Sequence, residues 1–290
     1  MTRIVQTLAD IAADYDAFFV DLWGCVHDGV KAYPEAIAAL QGVRRMGKTV
    51  VLVTNSPRPR ASVKTQIEGF GVPGDAWDTI ATSGDSARAA MYNGIVGRNV
   101  YHIGPQGDLP FFHPLEIQDH PVEITRVPLD EAEGVVCTDP FDSMADPEVL
   151  RPELLLAKTR GLKLLCANPD IVVDRGGQRE WCAGVVARLY TEMGGESLYF
   201  GKPHPPIYDL ARMRLAQLGS VPADSRILAI GDGIHTDIQG GLGEGIDTLF
   251  ITGGLALEET RTTDQPEPEA LEAYIEANQM TPTYAIGFLR

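Results

Sequence analysis

Phe18-Phe19-Val20-Asp21-Leu22-Trp23-Gly24 is the stretch on which the reading of the fold turns. Three apolar residues of strand type run straight into an aspartate, and a glycine follows three places later. Such a run reads as a buried strand that delivers one carboxylate to the edge of a sheet. A strand with apolar side chains on both faces belongs to a parallel sheet, and its first exposed position lies just past its C-terminal end. Ligands of open α/β sheets bind at that edge. Asp21 therefore stands where such sheets do chemistry. The plain alternative is an aspartate that only caps the following turn.

Working outward, other strands end the same way. Pro34-Glu35-Ala36-Ile37-Ala38-Ala39-Leu40 opens a helix with proline in its first turn, and Gly47 closes it. Thr49-Val50-Val51-Leu52-Val53 then runs into Thr54-Asn55-Ser56-Pro57. Strand, helix and strand without polar alternation make a βαβ unit. Ser197 to Phe200 leads to Gly201-Lys202-Pro203, and Arg226 to Ile230 ends in Gly231-Asp232-Gly233. The same reading predicts a short helix over 6–17, helices over 60–70, 85–92, 183–193 and 207–218, and another that starts over 237–241. Helices also alternate with strands around 146–160. Further strands are expected at 79–83, 101–104, 122–124, 134–138, 162–166 and 247–252. A last helix follows the acidic loop Asp264-Gln265-Pro266-Glu267-Pro268-Glu269.

The bulk numbers narrow the function. With 290 residues, two domains are expected. The net charge of −16 repels nucleic acid and anionic lipid, so neither is an expected partner. A small phosphorylated metabolite stays open, because a local cation reverses the field within a pocket. No apolar run reaches membrane-spanning length, and the N-terminus lacks the basic start and apolar block of a signal peptide, so a cytoplasmic protein is expected. Cys25, Cys137, Cys166 and Cys182 are scattered without a Cys-x-x-Cys and read as buried thiols.

Asp21, Thr54, Lys202 and Asp232 all fall at or just past strand ends, which in a parallel sheet share one edge. Phosphoryl transfer through an aspartate wants this set. One carboxylate attacks phosphorus and forms an acyl phosphate. A second helps to hold Mg²⁺, which takes oxygen ligands. A hydroxyl and a lysine bind the phosphoryl oxygens. Two other phosphate motifs fail. A P-loop needs glycine where Glu196 stands and a hydroxyl residue where Pro203 stands. A dinucleotide fingerprint needs glycine where Thr236 stands, and Asp232 would face the pyrophosphate.

These residues carry a resemblance. The chain resembles the haloacid dehalogenase (HAD) superfamily, and within it the NagD-like class IIA phosphatases. Phe19-Val20-Asp21-Leu22-Trp23-Gly24 matches the first motif, Val53-Thr54-Asn55 the second and Gly201-Lys202-Pro203 the third. Gly231-Asp232-Gly233 with Thr236-Asp237 matches the fourth, and Cys166-Ala167-Asn168-Pro169-Asp170 resembles a further stretch of the subgroup. The resemblance implies an α/β fold: a Rossmann-like parallel-sheet core (1–83 and 189–290) with an inserted α/β C2-type cap (84–188). It implies Asp21 as nucleophile, with Thr54, Asn55 and Lys202 at the phosphoryl group. Mg²⁺ would be held by Asp21, the Trp23 backbone carbonyl and Asp232, with Asp237 acting directly or through water.

Trp23 departs from that pattern. Phosphatases of the superfamily usually carry a second aspartate there, which protonates the leaving oxygen and later activates water. An indole does neither. His27 and Asp28 are the nearby candidates for a replacement acid. Two other readings stay open: a dehalogenase, which needs no proton for its leaving halide, and a phospho-ligand-binding protein with little turnover. Roughly 150 residues between Thr54 and Lys202 exceed any single crossover, which calls for the extra domain. Ser56 and Arg58 are candidate substrate selectors, with Asp170, Arg175 and Trp181 in the cap. A homodimer is compatible with the class.

Overall fold

The structure, a computed structural model, describes residues 2–113, 120–175 and 178–290, with the side chains of Asp174 and Arg175 outside the description. The chain divides into two compact units. The first comprises Met1–Thr54, Lys64–Ala81 and Tyr208–Arg290, and the second Asn55–Val63 and Thr82–Ile207. The segment 84–188 expected as an insert falls inside the second. Among the described residues, no helix is long and apolar enough to cross a membrane.

The strands in chain order begin with β1 (Arg3–Ile4), β2 (Ala17–Val20), β3 (Thr49–Thr54), β4 (Thr79–Thr82) and β5 (Asn99–Ile103). Next come β6 (Thr125–Arg126), β7 (Gly134–Cys137), β8 (Lys163–Cys166), β9 (Val172–Arg175), β10 (Gln178–Trp181) and β11 (Glu196–Tyr199). The last are β12 (Ile227–Gly231), β13 (Asp247–Ile251) and β14 (Tyr284–Ile286). In the first unit the sheet order is β1-β14-β13-β12-β2-β3-β4. β12 lies between β13 and β2, and β2 between β12 and β3, all parallel. The register sets Val20 against Ile230 on one side and Leu52 on the other.

Burial explains the apolar runs. Phe18, Phe19 and Val20 are buried, as are Val50 to Val53 and Ile227 to Ile230. Each such side chain contributes about 1.5–3 kcal/mol on leaving water. With both faces covered, polar groups have room only at the strand ends, which is where Asp21, Thr54 and Asp232 stand.

The second unit repeats the principle. Its sheet, β11-β8-β7-β5-β6, is parallel throughout. Alternate residues point to opposite faces. Val135, Cys137, Leu164 and Cys166 pack with Leu154, Val186 and Tyr190 of helices at Arg151–Thr159 and Ala183–Glu192. Val136 and Leu165 pack with Ala87 and Met91 of the helix at Ser83–Tyr92.

Three expectations differ from the fold. The helix expected over 6–17 is two 3₁₀ turns, Leu8–Asp10 and Ala12–Asp14. Leu8, Ile11, Ala12 and Tyr15 are all buried, so a helix-like apolar spacing is met without a continuous helix. The Asp10 carboxylate accepts from the Gln6 and Thr7 N–H groups and tightens the first turn. The strand expected at 122–124 is instead the two-residue β6, because Val122 donates its N–H to the Tyr92 carbonyl. The helix expected from Asp237 begins with a π-helical turn, Ile234–Ile238, and continues as a helix at Gln239–Gly243.

Candidate active site

β2 and β12 are neighbours, and their shared ladder runs one residue past β2: the Asp21 N–H donates to the Ile230 carbonyl at 2.8 Å. That bond sets Asp21 beside the end of β12, where Asp232 follows Gly231. The chain after Asp21 folds back at once, with Val26 and His27 both donating to the Leu22 carbonyl at 2.8 and 3.1 Å. The turn brings Cys25 inward. Donor atoms of Asp21, Cys25 and Asp232 all lie within 4.8 Å of one another, and all three residues are buried.

Glycines make room for this cluster. Gly24 has φ +74°, and a Cβ there would lie 2.1 Å from Asp232 Oδ2. A Cβ on Gly254 would meet the same oxygen at 2.1 Å. The Leu255 N–H donates to Asp232 Oδ2 at 3.1 Å and orients the carboxylate. Asp237 is buried behind the loop. Its Oδ2 accepts from the Gly233 N–H and the Thr236 hydroxyl, both at 3.2 Å. A Cβ on Gly231 would fall 2.0 Å from Asp237 Cγ, so that glycine lets the second carboxylate approach the strand. Asp237 is not among the residues whose donor atoms meet within 4.8 Å.

Two carboxylates held this close repel each other by on the order of 3–4 kcal/mol at the effective dielectric of a protein. A divalent cation would turn that repulsion into attraction. The buried pair of carboxylates, Asp21 and Asp232, therefore fits a metal ion.

Trp23, His27 and Asp28 have other tasks in this turn. The Trp23 ring meets the His27 ring edge-on at 5.4 Å, and His27 meets Phe70 at 5.0 Å. A Cβ on Gly29 would lie 2.4 Å from the Trp23 ring, so the indole folds back over that glycine. His27 Nδ1 accepts from the Gly29 N–H at 3.0 Å. Burial pushes its imidazole down to about 4, against a weaker upward pull from Asp28. Asp28 Oδ1 accepts from the Lys31 and Val30 N–H groups at 2.8 and 2.9 Å. Those bonds hold its carboxyl below the usual range.

Thr54 is buried at the end of β3, beside β2. Lys202 and Asn55 belong to the second unit. There Asn55 Oδ1 accepts from the Lys202 N–H at 2.7 Å, and its Nδ2 donates to the Lys202 carbonyl at 3.1 Å and to Asp170 Oδ1 at 2.8 Å. Both ends of the Asn55 amide are thus engaged in fixing the lysine backbone. A Cβ on Gly201 would lie 2.5 Å from Asn55 Oδ1, which is why glycine precedes the lysine. Ser56 Oγ accepts from the Arg58 N–H at 3.3 Å, and Arg58 is exposed. Asp139 Oδ1 accepts from the Ala183 N–H at the start of a helix. Burial, with Asp108 nearby, pushes the Asp139 carboxyl up to about 8. Trp181 is partly buried against the apolar cluster around Val186. The Arg175 side chain lies outside the described residues.

Comparison with known proteins agrees with the motifs. Residues 18–118 match a family model described as haloacid dehalogenase-like hydrolase, and residues 199–277 match a HAD-hydrolase-like model. A crystal structure of a hydrolase of the haloacid dehalogenase-like family from Brucella suis 1330 is 38% identical. It covers 99% of this chain and 100% of its own, with a TM-score of 0.85. The 5'-nucleotidase YutF of Bacillus subtilis (strain 168) is 24% identical over 258 residues, 88% of this chain and 93% of that protein. A p-nitrophenyl phosphatase from Archaeoglobus fulgidus shares the fold at a TM-score of 0.70 with 23% identity, covering 95% of this chain and 97% of its own. The chain belongs to the haloacid dehalogenase-like hydrolases.

Proposed function

We propose that the protein is a Mg²⁺-dependent phosphatase of a small phosphorylated metabolite, acting through an aspartyl phosphate at Asp21. The observation that carries this reading is the buried meeting of Asp21 and Asp232 at the ends of adjoining parallel strands. An Asp21 oxygen attacks phosphorus, and the bond from phosphorus to the leaving oxygen breaks with its electron pair on that oxygen. Water then cleaves the acyl phosphate, which releases inorganic phosphate and restores Asp21. Thr54 and Lys202 bind the phosphoryl oxygens, and Asn55 positions the Lys202 backbone. Asp21, Asp232 and the Trp23 carbonyl, with Asp237 directly or through water, would hold Mg²⁺, which would supply positive charge to those oxygens. The segment 84–188 serves as a cap that selects the substrate, and Ser56 and Arg58 are candidate selectors.

The same turn bears on the choice of substrate. An indole donates a hydrogen bond but is no acid. His27 Nδ1 accepts an N–H and so carries no proton, and two N–H groups on Asp28 Oδ1 favour the ionised form of that carboxyl. Neither side chain is arranged as a proton donor. The loop therefore suits esters that leave without a proton, namely aryl, enol and acyl phosphates. The direct test is phosphate release from p-nitrophenyl phosphate, with and without Mg²⁺, by the wild type and Asp21→Asn. Release should require Mg²⁺ and fall by more than about a thousandfold in the variant. Equal release by Asp21→Asn would end the reading. Halide freed from haloacids with no phosphate from any ester would favour the dehalogenase.

A further inference from the structure

We infer that Cys25 makes the carboxylate cluster of the first unit a binding site for a thiophilic divalent cation, with Zn²⁺ or Co²⁺ held by Asp21, Asp232 and the Cys25 sulfur together. This does not depend on the phosphatase reading, because it concerns the donor set alone. Three donor atoms within 4.8 Å of one another, on three buried residues, converge as ligands of one ion would. Two are hard carboxylate oxygens and the third is a sulfur.

The chemistry of that set is not neutral among metals. Mg²⁺ takes oxygen ligands in octahedral geometry and gains nothing from sulfur. Zn²⁺ and Co²⁺ accept thiolate, and their affinity for mixed donor sets exceeds that of Mg²⁺. Two carboxylates and one thiolate give the three protein ligands, with an open fourth position, that zinc accepts in a reactive site. Binding replaces the thiol proton with the metal and releases that proton to solvent.

The local structure supports a designed approach of the sulfur. Cys25 sits inside the turn closed by Val26 and His27 on the Leu22 carbonyl. Gly24, directly before it, holds φ +74° and leaves space that any side chain would take from Asp232. The sulfur is therefore brought to the carboxylates by backbone hydrogen bonds and not by a flexible side chain alone. The other three cysteines belong to the second unit, so the sulfur of Cys25 is separable from them by mutation.

Co²⁺ is the probe, because thiolate ligation gives an intense near-ultraviolet charge-transfer band that carboxylates alone do not. Titration of Co²⁺ into the metal-free full-length wild type should produce this band with saturation at one ion. Cys25→Ser should lose the band and weaken Co²⁺ and Zn²⁺ by at least about tenfold, while Mg²⁺ binding read by calorimetry stays within about threefold. Asp232→Asn should weaken all three ions. Cys25→Ala serves as a second variant, and circular dichroism checks that each variant is folded. A band that survives in Cys25→Ser, or no band in the wild type, overturns the inference. So does a loss of Co²⁺ affinity matched by an equal loss for Mg²⁺, which would mark Cys25 as a packing residue.

Discussion

Trp23→Asp should raise kcat/KM for alkyl phosphates by about a hundredfold or more, while p-nitrophenyl phosphate changes far less. An alkoxide leaves slowly without a proton, and an aryl oxide leaves readily. A carboxylic acid at position 23 would supply that proton. In the wild type the indole is folded over Gly29 and against His27. Removing it costs that packing, so total activity alone would mislead. The ratio of alkyl to aryl rates cancels the loss. In the wild type, kcat/KM should fall steeply as the leaving-group pKa rises across a series of phosphomonoesters. A flat series would show that an acid from elsewhere serves the reaction.

Gly24→Ala should abolish metal binding and phosphate release together. At φ +74° an alanine costs about 1–2 kcal/mol in backbone conformation alone. The larger effect is steric, since the new Cβ would lie 2.1 Å from Asp232 Oδ2. Asp232 or the turn must move, and the carboxylates part. Gly47 supplies the control. It has φ +77° with nothing within 4 Å of a Cβ. Gly47→Ala should therefore lower stability by a similar conformational cost and leave Mg²⁺ affinity unchanged. Calorimetric titration of both variants with Mg²⁺ makes the comparison. Wild-type affinity in Gly24→Ala would show that the glycine is dispensable.

The two carboxylates were legible because the sequence marks them twice, by unbroken apolar runs and by small residues after them. Phe18 to Val20 and Ile227 to Ile230 admit no polar group until the strand ends, so Asp21 and Asp232 had one place to go. Their adjacency was legible only through the resemblance: it follows from the order β12-β2-β3, which no local pattern encodes. Cys25 was read as one of four buried thiols, because nothing in its spacing points to Asp232. Only the turn at Leu22 brings it in. Asn55 stands beside Thr54, the candidate phosphate binder, and is grouped with it in the sequence reading. Its partners, Lys202 and Asp170, lie far along the chain.

Short and polar elements were missed for a related reason. β1 and β14 pair over two residues, too few for any periodicity to register. β9 and β10 pair antiparallel, and β10 reads Gln-Arg-Glu-Trp, which lacks an apolar face. Pairing partners, not composition, hold these strands. The opposite happened at 8–15, where a good helical spacing was met by two 3₁₀ turns.

The most direct measurement is capture of the covalent intermediate. The wild type is mixed with p-nitrophenyl phosphate and Mg²⁺, quenched in acid within the first turnovers, digested and analysed by mass spectrometry. A phosphoryl group on the peptide carrying Asp21, absent in Asp21→Asn, is the predicted result. Phosphate release with an unmodified Asp21 peptide, or a phosphoryl group that appears elsewhere and persists in Asp21→Asn, would contradict it.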